Sequence, residues 1–487
     1  MRKRILAGIL AAVLSLSLAA CGDTKQTAST ETETVQAQDG EKGLKELFEE
    51  GKKTDKKEKT DQEDEEQETT EESLEEEDDE KEKDSKKETA QKDEKDKKNM
   101  VSPEDAEISD DWEDITFALD GTVFALPAPY GAFATQGWTI NWDFFGKDTE
   151  YYLLNPGAKI YGYLVKDEYD GSVMFAVNFV NNSDEVLEIR ECDINMVNIQ
   201  MDQGHKKDKN IPEVEVAGGL KFGSSQDEIR EAFGEPDYYY EGDEGSFDSL
   251  SYDNGSYDYE TKFYVYDDKG ITDIKLENDV KKPSINIDYD IDESLIAYEE
   301  PEYEEEEKPK RQNKKKLSND WLDMEFSIDG EIYTMPEYFG FLAEDGWEIK
   351  DSEFKDGYVL NPGEMTFGTI DITNKEYDKD LLFWVGFANT SDRVKDISEC
   401  SIYSIKVDIW FLQDEPLEDV PELVVANGIT WGSTAEDIMD AFGEPDYEQN
   451  EEDRGYSVYT YNGDKGETLK FIVYDEYGVT CIEYELQ

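Results

Sequence analysis

Histidine is nearly missing from this chain: there is one, His205, in the polar run Gln203-Gly204-His205-Lys206-Lys207. The corresponding loop of the second half, around Gln413-Asp414-Glu415, has none. Imidazole acid–base or triad chemistry needs a partnered ring in a fixed setting, so His205 reads as a solvated loop residue. Cysteine is almost as scarce. Beyond Cys21 there are Cys192, Cys400 and Cys481, an odd set without CxxC spacing, which argues against a disulfide framework or a thiolate zinc site. One pair could form in an oxidising exterior, but the matching places of Cys192 and Cys400 favour a small buried apolar residue at each. Basic residues are few beside acids, 49 against 122, and the formal charge of −73 excludes nucleic acid as a partner by repulsion. The same charge holds the body off anionic headgroups and favours cationic ligands. Glycine-rich phosphate loops are absent too, and no cofactor is expected.

Long apolar runs are confined to the amino terminus. Arg2, Lys3 and Arg4 precede the run Ile5 to Leu14 and small residues ending at Ala19 and Ala20, the layout of a secretory signal too short to span a bilayer permanently. Leu18-Ala19-Ala20-Cys21, followed by Gly22 and Asp23, resembles the bacterial lipobox. That resemblance implies cleavage after 1–20, diacylglycerol on the Cys21 thiol, and a membrane partner reached through that anchor on the outer face. Two or more acyl chains give stable attachment, because each buried CH₂ contributes roughly 0.8 kcal/mol. From 21 to 110 the chain is Lys, Glu, Asp, Thr, Gln and Ser, which predicts a disordered charged tether. Its coil dimension is about 50 Å before self-repulsion lengthens it. Leu44, Leu47 and Phe48 fall on one helical face and form the local exception.

The rest of the chain reads as one module written twice, about 209 residues apart. Asp111-Trp112 returns as Asp320-Trp321, Asp120-Gly121 as Asp329-Gly330, and Gly137-Trp138 as Gly346-Trp347. Leu154-Asn155-Pro156-Gly157 returns as Leu360-Asn361-Pro362-Gly363, and Ser183-Asp184 as Ser391-Asp392. Ala232-Phe233-Gly234-Glu235-Pro236-Asp237 returns unchanged as Ala441-Phe442-Gly443-Glu444-Pro445-Asp446. The expected class is α+β: tandem modules of antiparallel sheets and short helices. Each has a first part, 111–216 or 319–425, and a second part, 217–279 or 426–487. An acidic linker over 280–318, with the run Glu304 to Glu307 and the cluster Lys314 to Lys316, is expected to let the modules move semi-independently.

Local signals fill in each module. Ile115 to Leu119 and Met324 to Ile328 read as strands ending in Asp-Gly hairpin turns. Pro127 and Pro336 are placed to start a short helix that Gly137 and Gly346 cap. Val173 to Val180 and Leu381 to Ala388 are apolar on both faces, as a central buried strand would be. Ser225 with Glu228, and Thr434 with Asp437 or Ser433 with Glu436, form capping boxes. The helices they open put Ile229, Ala232 and Phe233, or Ile438, Ala441 and Phe442, on one face. Thr261 to Tyr266 with Ile271 to Leu276, and Leu469 to Tyr474 with Val479 to Tyr484, read as hairpins.

The second part resembles the small lipoproteins of the SmpA/OmlA type and the β-lactamase-inhibitor-protein fold. A Gly-x-[Ser/Thr] helix start followed by Phe-Gly-Glu-Pro carries the resemblance, over Gly223 to Pro236 and Gly432 to Pro445. The whole layout is also similar to uncharacterised lipoproteins of Gram-positive gut anaerobes. These likenesses imply helices on one face of an antiparallel sheet and a non-catalytic, protein-contacting role.

Three patterns invite chemistry. Asp288, Asp290, Asp292 and Glu299 fall at positions one, three, five and twelve of a calcium loop, but Glu293 stands where the turn needs glycine, which favours an acidic linker and no metal. Acids such as Glu191 and Glu399 match between the halves, and a glycosidase pair is not removed by counting, although surface roles explain them better. Tyr238, Tyr239 and Tyr240 with Tyr252 and Tyr257 suit stacking on sugars or contacts to a protein. The plainer reading is that tyrosines fill small sheets. The expectation is a non-enzymatic envelope lipoprotein that binds or scaffolds a cell-wall, glycan or protein partner. The alternatives are a carboxylate-dependent glycan-processing enzyme and a purely structural lipoprotein.

Overall fold

The computed structural model describes residues 100–487 except 146–149, 170–172, 202–210, 244, 256–257, 304–305, 352–353, 355–356, 367–369, 378–380, 411–419 and 487. Cys21, the tether up to residue 99, His205 and Tyr257 therefore lie outside the described residues.

The described chain forms two sheet-rich modules, mostly antiparallel with few short helices. Each opens with a hairpin, Thr116–Leu119 against Thr122–Ala125 and Glu325–Ile328 against Glu331–Thr334. Asp120 and Gly121 have φ of 52° and 84°, and Asp329 and Gly330 have 52° and 86°. Two consecutive left-handed residues match the twist of the strands they join, which is why Asp-Gly sits there.

The main sheet of the first module runs in the order 238–240, 248–253, 259–266, 270–278, 193–201, 173–180, 159–165, 139–140. In the second module, reading from the corresponding end, the order is 447–451, 456–462, 467–474, 478–486, 401–408, 382–388, 370–374, 347–349. The runs Val173–Val180 and Leu382–Ala388 are interior strands, flanked on both sides, as their unbroken apolar character requires. Strand Gly270–Asn278 pairs with Asp193–Met201, and Gly478–Leu486 with Ser401–Asp408. One continuous sheet thus crosses the two parts expected within each module. Each module keeps its own apolar core.

Among the described residues the α-helices are Tyr130–Thr135, Gln226–Phe233, Phe339–Glu344 and Ala435–Phe442. Pro127 and Pro336 do not start the first and third. A two-residue strand, Ala128–Pro129 or Glu337–Tyr338, intervenes and pairs with the main sheet. The other two helices begin as expected: the Ser225 amide donates to Glu228 Oε2 at 2.7 Å, and the Thr434 amide to Asp437 Oδ2 at 2.8 Å. Both acids, held by these bonds, titrate below the usual carboxylate range.

Two expectations about connections are corrected. The predicted tether ends early, because Val101 forms a parallel bridge with Ile287, and Ala106 and Ile108 pack on Val123, Ala125 and Ile287. The linker is also docked rather than free. On the first module the Ala125 amide donates to Tyr289 Oη at 3.0 Å, and Ile291 lies so close to Gly131 that an added Cβ would meet it at 2.6 Å. On the second, Glu306 binds Arg393 and Lys395 at 3.1 and 2.8 Å, and Lys314 binds Glu325 at 2.6 Å. Tyr289 lies 5.9 Å from the ring of Phe124, and Arg311 covers the corresponding Tyr333 at 5.2 Å. The acidic composition hid these anchors, since a few Ile, Tyr, Arg and Lys side chains among many acids suffice to pin an extended strap.

The modules also touch directly. Asn155 accepts from the Val359 amide and donates to the Val359 carbonyl, both at 2.8 Å. Asn361 does the same to Leu153, both at 2.9 Å. The two asparagines of the Leu-Asn-Pro-Gly repeats thus exchange strand-like bonds across a seam with two-fold character. Both asparagines are buried, and each satisfies partly buried backbone groups of the other module. Seam and strap together oppose the semi-independent motion expected from composition.

Candidate functional site

The first candidate site grows from the single turn Ile189–Glu191. Glu188 caps it, accepting from the Arg190 amide at 2.8 Å. That cap folds Arg190 back, so its guanidinium donates to Glu188 Oε1 and to the Glu150 carbonyl, each at 3.0 Å, and sits 4.7 Å from the Trp142 ring. Burial pushes the Glu188 carboxyl up to about 7, against the pull of the Arg190 amide and charge. Arg190 then lines an open pocket of ≈ 850 Å³ with Glu150, Tyr151 and strap residues Tyr298, Glu299 and Glu300. Burial first, and the Glu300 charge second, push the Tyr151 phenol up to about 12. The lining is largely acids and phenols around one guanidinium that is hydrogen-bonded to Glu188 and the Glu150 carbonyl. It can hold polar or cationic groups, and it sets no activated nucleophile beside a base.

The corresponding turn of the second module, Ile397–Glu399, is capped by Asp396, which accepts from Ser398 at 2.9 Å. Glu191 and Glu399 both lie in these turns. Glu191 accepts from the Tyr298 hydroxyl at 3.2 Å and so helps hold the strap. The positions weighed against a calcium loop lie on the docked strap, where Asp292 caps Glu293–Leu295 and accepts from the Ser294 amide at 3.0 Å. Among the described residues no three His, Cys, Asp or Glu side chains are gathered to hold a metal ion. Cys192, Cys400 and Cys481 are buried with free thiols. Burial raises all three, Cys400 to about 12, which keeps them protonated.

The candidate tyrosine face divides. Tyr252 is core, its hydroxyl donating to the Gly234 carbonyl at 3.1 Å. Tyr238–Tyr240 is an exposed edge strand. There Arg230 covers the Tyr239 ring at 5.0 Å, and the Tyr239 hydroxyl donates to Asp248 at 3.2 Å. Tyr240 continues through Phe247, at 6.4 Å, to Tyr264.

Other aromatic surfaces went unread in the sequence. Phe144, Tyr161 and Tyr163 pack edge-on, with Phe144 and Tyr161 exposed. Trp410 stacks on Tyr474 at 3.7 Å. The alternation of Tyr161 and Tyr163 within one strand was an available signal. Trp410 carried none, because its partner is distant in the chain.

The repeated hexapeptide has a structural explanation. Phe233 and Phe442 pack into the cores, Gly234 and Gly443 take φ of 82° and 83° with extended ψ, and their carbonyls accept from Tyr252 and Tyr461. Asp237 and Asp446 accept the amides of Asp253 and Asn462 at 3.0 and 2.8 Å. Its chemistry is spent on joining helix to sheet.

No family model, no curated protein and no solved structure matches this chain.

Proposed function

We propose that the protein is a non-enzymatic lipoprotein, lipid-anchored on the outer, extracytoplasmic face of the cell membrane and displaying two tandem copies of a binding module. The observation that carries this reading is the pair of exposed, acid-flanked edge strands, 238–240 and 447–451, in modules braced to one another by the Asn155 and Asn361 seam. Two braced copies raise effective concentration on a repetitive surface without any new contact. Duplication of an ancestral module explains the matching sequence motifs, and the SmpA/OmlA-like second part remains the proposed kinship. The Leu18 to Cys21 motif supports anchoring, and the protonated, buried thiols support a role without thiol chemistry.

The test offers the purified chain to peptidoglycan, glycans and envelope proteins, measuring retention and product release together. Retention without turnover is expected; turnover that depends on a carboxylate would replace this reading with the glycan-processing one.

A further inference from the structure

The second module ends its main sheet in the strand Tyr447–Glu451, hydrogen-bonded on one side to Tyr456–Asn462. Among the described residues no strand pairs with its other side. An open ladder edge is a template for another strand, and proteins that keep one guard it against the wrong partner. Here the guard is charge. The run Glu444-Pro445-Asp446-Tyr447-Glu448-Gln449-Asn450-Glu451-Glu452-Asp453 carries acids at Glu444, Asp446, Glu448, Glu451, Glu452 and Asp453 and no base. Tyr447, Glu448, Gln449 and Asn450 are all exposed.

On one face of the strand a side-chain row runs parallel to the backbone: the Tyr447 hydroxyl donates to Gln449 Oε1, and the Gln449 amide to Glu451 Oε1. Register puts these residues opposite Thr460, Val458 and Tyr456, away from the core-facing Tyr459 and Tyr461. The row keeps the side chains along the strand and leaves the backbone edge approachable.

We propose that this edge takes an extended, lysine- or arginine-bearing peptide as an added antiparallel or parallel strand. Backbone bonds supply the attachment, and the flanking carboxylates select a cationic chain. A second copy of this protein is the wrong occupant, since its corresponding edge would set acid against acid. The first module's edge at Tyr238–Tyr240 has the same position in its sheet and nearby acids Glu235, Asp237, Glu241 and Asp243, but it is shorter. This inference names a partner class for the binding role proposed above and rests on that role.

The test uses the full chain and three synthetic peptides: alternating Lys and Val, the same with Glu for Lys, and the Lys peptide N-methylated at alternate residues. Binding is read by calorimetry and by amide shifts of residues 447–451. Expected are binding of the Lys peptide, none of the Glu peptide, and about a tenfold or greater loss for the methylated peptide whose methyls meet the edge. The exposed double variant Glu448→Lys, Glu452→Lys, checked for an unchanged circular dichroism spectrum, should lose the Lys peptide by a similar factor and gain the Glu peptide. Equal binding of methylated and unmethylated peptides would overturn strand addition and leave only ionic attraction. No binding by a folded chain would overturn the edge site while leaving retention on envelope material to be judged separately.

Discussion

Single residues carry constraints that composition does not reveal, and glycine shows it most sharply. The Gly223 amide donates to the Ile271 carbonyl at 3.0 Å, and the Ile271 amide to the Ser224 carbonyl at 2.8 Å; Gly432, Val479 and Ser433 repeat this arrangement. The hairpin turn is thereby pressed onto the helix start. An added Cβ on Gly270, whose φ is 72°, would meet the Gly223 carbonyl oxygen at 2.2 Å, whereas one on Gly121, with φ of 84°, meets nothing within 4 Å. Backbone strain alone costs about 1–3 kcal/mol at such positions. Gly121→Ala is expected to cost an amount in that range and Gly270→Ala distinctly more, as read from urea midpoints. Equal losses would show that the close approach carries no weight. The glycine of the Gly-x-[Ser/Thr] motif has a different reason: Gly223 and Gly432 take φ of 90° and 78°, where a side chain is strained, whereas an added Cβ there would meet only a carbonyl oxygen at 3.9 Å.

At the scale of elements, the seam is the least expected feature. Leu-Asn-Pro-Gly reads as a turn in isolation, and nothing local says that Asn155 and Asn361 reach into the other module. Replacing either by Ala leaves a partly buried amide and a partly buried carbonyl without these partners, at up to about 1 kcal/mol for each bond lost. Asn155→Ala is therefore expected to lower stability and to separate one unfolding transition into two by calorimetry. Retention of a single transition at the parent temperature would show that strap contacts alone hold the modules. Elements with strong local signals were legible: the Asp-Gly hairpins, both capping boxes, the interior apolar strands and the terminal hairpins all form near their expected positions. What stayed hidden depends on distant partners. Ile287, Tyr289 and Arg311 lie in a stretch whose acidic average masks them, and the union of two parts through Gly270–Asn278 and Asp193–Met201 is a pairing no local pattern encodes. The candidate site was half legible: Tyr238 to Tyr240 were singled out, whereas Arg190 and the Tyr447–Glu451 edge were not, because their roles come from a cap and from sheet order.

At the scale of the molecule, charge and attachment set what the braced pair can meet. A chain of −73 is repelled by anionic surfaces that come within about a Debye length, about 8 Å at physiological salt, so the proposed attachment rests on a covalent lipid rather than on surface attraction. The account therefore turns on the Cys21 thiol. The most direct measurement is incorporation of labelled palmitate together with cell fractionation of the parent and of Cys21→Ser. The account predicts label in the parent, none in the variant, and release of the variant into the medium or soluble fraction. An unlabelled parent, or a variant held to the cell as firmly as the parent, would contradict it.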